Sequence, residues 1–142
     1  MIYKENNKEK TFIKKFLKEY YTVEEVVSDK VITEDMLNNE MDKYTNYLDE
    51  KCLEQFASTR GILAVKVKSQ KDQFVSTIDK INIEYKGKTK DNEKLEKYSY
   101  KVDLKLIYED GSSLKTSVDG EIRIKNTDNQ PIITYFDYTA LK

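Results

Sequence analysis

Apolar positions recur at helical spacing in the first half of the chain and alternate in the second. In "FIKKFLKEYYT", Phe12, Ile13, Phe16, Leu17, Tyr20 and Tyr21 fall on one helix face, with Lys14, Lys15, Lys18 and Glu19 opposite. A segment this one-sided needs something to cover. Downstream, Thr22 with Glu25 three residues on reads as a capping box, and Val23, Val26 and Val27 supply one short apolar turn, so a brief helix or turn is expected there. Thr33 is a second candidate cap, with Glu34 and Asp35 in the first turn. From there Leu37, Met41, Tyr44, Leu48, Cys52 and Phe56 step by three or four, which predicts a long helix or a broken pair ended at "STRG". The expected helices span 8–21 and 33–57.

Beyond Gly61 the spacing reads as two to the C-terminus. Leu63, Val65 and Val67 alternate with Ala64, Lys66 and Lys68, which predicts a strand starting near residue 62. Ile81, Ile83 and Tyr85 form a second run, followed by the charged connection "KGKTKDNEK". Tyr98, Tyr100, Val102, Leu104, Leu106 and Tyr108 form a third, and Leu114, Thr116, Val118, Ile122 and Ile124 a fourth, across the turn "EDGSS" with Gly111 where positive φ is cheap. After the turn "TDNQP", with Pro131 at the start of a strand, "IITYFDYTAL" is the last strand. Short turns join these runs, so they should pair antiparallel in sequence order, with one apolar face turned to the helices. The fold class expected is α+β, N-terminal helices packed on a curved antiparallel β-meander, with 1–142 as a single domain. Its core should include Phe16, Leu17, Tyr44, Leu48, Phe56, Ile83, Val102, Leu104, Val118, Ile122 and Phe136.

Charge narrows the function classes. Twenty-five basic residues against 26 acidic ones leave no global field that would draw the protein to nucleic acid or an anionic membrane. The absence of histidine removes the commonest metal ligand and the side chain that most readily moves protons near neutral pH. Cys52 is the single cysteine and lies in a helical apolar stripe, so it reads as a buried structural thiol. No run of 18 apolar residues and no signal-peptide pattern is present.

Thr116, Thr134 and the tyrosines Tyr85, Tyr98, Tyr100 and Tyr108 could line an interior that orients a ligand through hydroxyl groups, but tyrosines on half-buried strands more simply pack their rings. No carboxylate falls in the apolar register of the central strands, which removes the usual general base. Asp72, Asp79, Asp110, Asp119 and Asp128 have no metal-ligand spacing and read as turn or solvent-facing residues. The run "KGKTKDNEKLEK" interleaves acids with its lysines and reads as a loop. The expectation is no enzymatic activity, no catalytic, cofactor-binding or metal site, and no direct nucleic-acid binding.

Helices followed by a long antiparallel meander resemble the nuclear transport factor 2-like superfamily, a cone-shaped roll. The opening "FIKKFLKEYYTVEE" followed by "MDKYTNYLDE" is similar to the start of the extracytoplasmic domains of TcpC-type conjugative transfer proteins of Gram-positive mobile elements. The resemblance implies a non-catalytic scaffold of a type IV secretion membrane complex at the extracytoplasmic face of the cell membrane. It also implies contacts with other subunits, self-association into a homo-oligomer, and a membrane anchor outside this chain. The alternatives are a secreted or lipoprotein-linked module holding a small apolar ligand between helices and sheet, and a cytosolic ligand-binding or isomerase-like roll.

Overall fold

The computed structural model describes residues 2–26, 34–90, 95–127 and 130–137, with side chains from residue 7 onward. Four helices precede four strands: α1 Ile2–Tyr21, α2 Glu34–Tyr44, α3 Glu50–Ser58, a 3-10 turn Gly61–Leu63, α4 Ala64–Asp72, then β1 Phe74–Lys88, β2 Glu96–Tyr108, β3 Ser113–Thr127 and β4 Gln130–Phe136. The strands form one curved antiparallel sheet in the order β1-β2-β3-β4.

The first helix is the cover that its stripe called for. Ile13, Phe16, Leu17 and Tyr21 have no exposed surface, and each fully buried side chain of this size contributes roughly 1.5–3 kcal/mol. Phe16 and Tyr20 meet Phe136 of β4 edge-on, with ring centroids 4.8 and 5.3 Å apart. Tyr20 also packs on Phe56 at 5.3 Å, and its hydroxyl donates to the Gly61 carbonyl at 2.6 Å, closing α1 onto the end of α3. At the capping box expected from Thr22 and Glu25 no helix follows within the described residues. Val23 instead bridges Ser76 at the start of β1, so the chain is extended there. Val27 and the Thr33 cap lie outside the described residues.

The second stripe is a broken pair. Asp49 caps α3 by accepting from the Cys52 N–H at 2.8 Å. The break lets Leu48 lie along β4: Asp49 N–H donates to the Ile133 carbonyl at 2.9 Å, and Ile133 N–H to the Tyr47 carbonyl at 2.8 Å.

The strand expected from residue 62 is a helix. Arg60 takes a left-handed conformation, φ 60°, which ends α3 and turns the chain into the Gly61–Leu63 turn and α4. Ile62, Val65 and Ser69 are buried at i, i+3 and i+7, a helical face, while Val67 is 41% exposed. Ser69 occupies the third buried position as a small polar residue; its hydroxyl donates to the Phe74 carbonyl at 2.6 Å.

The central register is as expected: Tyr98, Tyr100, Val102, Leu104 and Leu106 of β2, and Val118, Ile122 and Ile124 of β3, are all buried. Leu114 is the exception, 48% exposed: among the described residues β4 pairs with 122–127 and Asp137 N–H donates to the Glu121 carbonyl, while residues 138–141 of the expected last strand lie outside the described residues. Ile83 is half-buried on the edge strand and Phe136 is half-buried against the core, and the other nine expected core residues are buried. Among the described residues, bulges reset the inward parity at three places, of which Lys86 lies near the end of β1. One at Asp79 separates Phe74, Ser76 and Ile78 from Ile81, Ile83 and Tyr85, and one at Thr134 lets Ile133 and Phe136 both face inward.

Candidate functional site

Three of the four tyrosines singled out in the sequence, Tyr85, Tyr98 and Tyr100, gather into two polar pegs between helices and sheet. Tyr98, directly opposite Tyr85 with ring centroids 5.2 Å apart, donates its hydroxyl to Glu9 Oε1, and the Asn126 side-chain amide donates to Glu9 Oε2. Glu9 is only 3% exposed. Burial, then the Glu9 contact, holds the Tyr98 phenol well above the usual tyrosine range, and burial together with a Glu96 contact pushes Tyr85 up to about 12. The carboxylate therefore accepts from groups that stay protonated at neutral pH, and both of its oxygens are occupied.

The second peg joins α1 to the C-terminal end of β4. Tyr100 donates to the Asp137 carbonyl at 2.9 Å, and its hydroxyl lies 3.2 Å from that of Tyr21. Burial first, then the neighbouring Tyr21, raises the Tyr100 phenol far above its ordinary value. Gly120 of β3 makes room: it sits directly across from Tyr100, and a Cβ there would lie 2.9 Å from the Tyr100 ring.

Thr116 is half-buried on β3, and Thr134 at the β4 bulge donates to the Arg123 carbonyl at 3.4 Å. Tyr108 is half-buried against Phe74, 6.0 Å between ring centroids. These three are not brought to the two pegs. The aspartates are also dispersed. Asp72 pairs with Lys68 on α4 at 2.8 Å, Asp79 is the exposed bulge residue, Asp119 is exposed on β3, and Asp128 lies outside the described residues. Asp110 accepts from the Ser112 N–H at 2.9 Å and from its hydroxyl, which holds the carboxyl below its ordinary range. Of the basic run, Leu95 is buried, and its N–H donates to Thr89 Oγ1 at 2.9 Å while Thr89 N–H donates to the Leu95 carbonyl at 2.8 Å, so the loop is pinned at its base. Cys52 is buried on α3 and its thiol is pushed up to about 12, mainly by burial, so it carries no thiolate at neutral pH.

Two buried carboxylates were missed in the sequence. Glu9 lies four residues before Ile13 and Glu40 four before Tyr44, each on the buried face of its helix. Period alone places them inside, and an apolar-only count passes over them. Glu40 accepts from Lys66 of α4, and Lys43 lies 3.9 Å from its other oxygen and 3.2 Å from Glu19, so one network ties α1, α2 and α4. Beside it lies an open cleft of about 750 Å³ lined by Lys15, Lys18, Glu19, Val23, Lys43 and Lys66, in which both charge signs are already interleaved.

The outer face of the sheet is charged and paired across strands. Lys101 stands opposite Asp119, and Arg123, whose Nε donates to Glu121 at 2.6 Å, stacks on Tyr135 with its guanidinium 4.6 Å from the ring. Tyr135 is 40% exposed. Chemically, the interior pegs hold elements in place, whereas the outer face is charged and exposed to solvent. Among the described residues, no helix is long and apolar enough to cross a membrane.

No family model and no curated protein matches this sequence. Two solved structures share the fold from end to end. One is a periplasmic fragment of TraM, with a TM-score of 0.59 at 10% identity, covering 91% of this chain and 93% of the other. The other is the NMR solution structure of TraH, described as a transfer protein of the Gram-positive conjugative plasmid pIP501, with a TM-score of 0.54 at 16% identity, covering 92% and 91%. At these identities the likeness is one of fold.

Proposed function

We propose that this chain is a non-catalytic assembly domain of a conjugative-transfer, type IV secretion membrane complex, acting through protein contacts at the extracytoplasmic face. The observation that carries this reading is the end-to-end match, in both directions above 90% of chain length, to two structures, one described as a transfer protein of a conjugative plasmid and the other as a periplasmic fragment. The filled interior supports it as well. A small-ligand module needs room between helices and sheet, whereas Phe16, Tyr20, Phe56 and Phe136 occupy that space in mutual ring contact. Membership of the nuclear transport factor 2-like superfamily belongs to the same proposal.

The test is genetic. Removing the reading frame from its native host and counting DNA transfer from donor to recipient cells should abolish or sharply reduce transfer, and restoring the frame should recover it. Cysteine labelling of intact cells with a membrane-impermeant reagent should reach an engineered surface cysteine on this domain. Unimpaired transfer, or a domain protected until the cells are lysed, would overturn the assignment.

A further inference from the structure

We infer that the outer edge of β1 pairs with the same edge of a second copy of this chain, antiparallel across a two-fold axis at Asn82, joining two four-stranded sheets into one of eight. The inference deepens the reading above by naming one partner, and it stands on the geometry of the edge itself.

The fold covers parts of its sheet edges with its own chain. The Tyr47–Asp49 segment bonds along β4 at Ile133, and Val23 bonds to Ser76 at the start of β1. From Ile78 to Lys88 no described residue bonds to the outer side of β1. Ser76 turns its N–H and carbonyl outward to Val23, opposite Leu106. The ladder alternates from there along the unbulged β2, so the residues opposite Val102, Tyr100 and Tyr98, namely Ile81, Ile83 and Tyr85, also point their backbone groups outward. Bulges at Asp79 and Lys86 bound the regular stretch.

Only odd residues can bond across such an edge, so the two-fold registers are few. With the axis at Ile83, Lys80 meets the partner's Lys86, and with it at Glu84, two glutamates meet. With the axis at Asn82, Ile81 and Ile83 exchange hydrogen bonds with their counterparts, and Lys80 meets the partner's Glu84 twice. An axis at Tyr85 also avoids like charges but runs across the Lys86 bulge. The Asn82 register alone joins opposite charges within the regular stretch, and it buries the half-exposed Ile81 and Ile83 against each other as a continuation of the core. Glu84 is an exposed residue whose Lys86 contact, at 3.3 Å, is itself exposed and so exchangeable. The first half of β3, which no described residue of β4 pairs, is the rival edge, and it offers Thr116 and the exposed Leu114 in place of that isoleucine row. A strand pair this short buries well under the roughly 1,200–2,000 Å² of stable dimers, so association in free solution should be weak and is best trapped covalently.

Asn82 faces its own copy at a non-hydrogen-bonded position, where Cα atoms stand about 4.5 Å apart, within the range a disulfide spans. Asn82→Cys should therefore form an intermolecular disulfide faster than Ser117→Cys, an exposed probe on the β3 edge, while buried Cys52 stays out of the reaction. Adding Glu84→Lys or Lys80→Glu to the Asn82→Cys chain should slow the crosslink roughly ten-fold, since each sets two like-charge pairs where two opposite pairs stood. Mixing the two charge variants should restore the rate, because the pairs become opposite again. Circular dichroism of every variant checks that the fold is kept. A Ser117→Cys crosslink as fast as that of Asn82→Cys, or a rate indifferent to the charge changes, would overturn this interface. Neither result bears on DNA transfer, which decides the assembly reading separately.

Discussion

At the residue scale, the least replaceable atom is one that is missing. A methyl group on Gly120 would fall on the Asp137 carbonyl and 2.9 Å from Tyr100 Cε2 and Oη, so neither the backbone nor the phenol can yield without breaking the bond between them. Gly120→Ala should destabilise by roughly 1–3 kcal/mol in denaturant unfolding, the usual cost of overpacking, and Tyr100→Phe introduced with it should recover little, since the ring stays. Glu9 is held by two donors, and Glu9→Leu takes the carboxylate acceptor from the buried Tyr98 hydroxyl while the exposed Asn126 amide can turn to water, an expected loss of about 1–3 kcal/mol read from the same curves. The phenols also set an alkaline limit. Tyr85 moves from 10.0 to about 12 on folding, and Tyr44, Tyr98 and Tyr100 are raised further, each chiefly by burial. Between those pH values the unfolded chain has released protons that the folded chain still holds. Stability is therefore complete below about pH 10 and declines as pH rises toward 12. A UV titration should show phenolate appearing together with loss of helix signal, and a flat stability profile across that window would count against the buried phenols.

At the element scale, the fold was legible wherever one period ran unbroken. The α1 stripe and the alternation of β2 and β3 each extend over many residues without a bulge, and each was read with its inward face correct. Reading failed where a single residue resets the period. Leu63, Val65 and Val67 alternate by coincidence within a turn and a helix whose buried face is Ile62, Val65 and Ser69, and a buried serine is invisible to an apolar count. The Asp79 bulge hid the first part of β1, because Phe74, Ser76 and Ile78 have opposite parity to the residues after it. Of the interior polar groups, three of the tyrosines could be named in advance but not Glu9 or Glu40, whose contacts with Tyr98 and Lys66 come from elements distant in the chain. Arg60 is the hinge between α3 and the following turn, and it carries a side chain at φ 60°. Arg60→Gly should hold or raise the melting temperature, whereas Arg60→Val should cost on the order of 1–2 kcal/mol because a β-branched residue tolerates that conformation poorly.

At the scale of the whole molecule, charge decides what the outer surface can meet. The net charge of −1 is spread so that opposite signs often face each other across strands, as with Lys80 and Asp103 or Lys101 and Asp119, and Arg123 is drawn to Glu121 and Tyr135. A surface that binds nucleic acid without sequence preference instead concentrates lysine and arginine in a stripe along the backbone, and releasing counterions makes its affinity fall steeply with salt. The lysines around the cleft between α1, α2 and α4 are interleaved with Glu19, Glu24 and Glu25, so that cleft has no such stripe. Fluorescence anisotropy with labelled single- and double-stranded DNA at physiological salt should therefore show no saturable binding. Micromolar binding that weakens steeply between low and physiological salt would reveal a basic track on this surface and would move the proposed role from assembly toward contact with DNA itself.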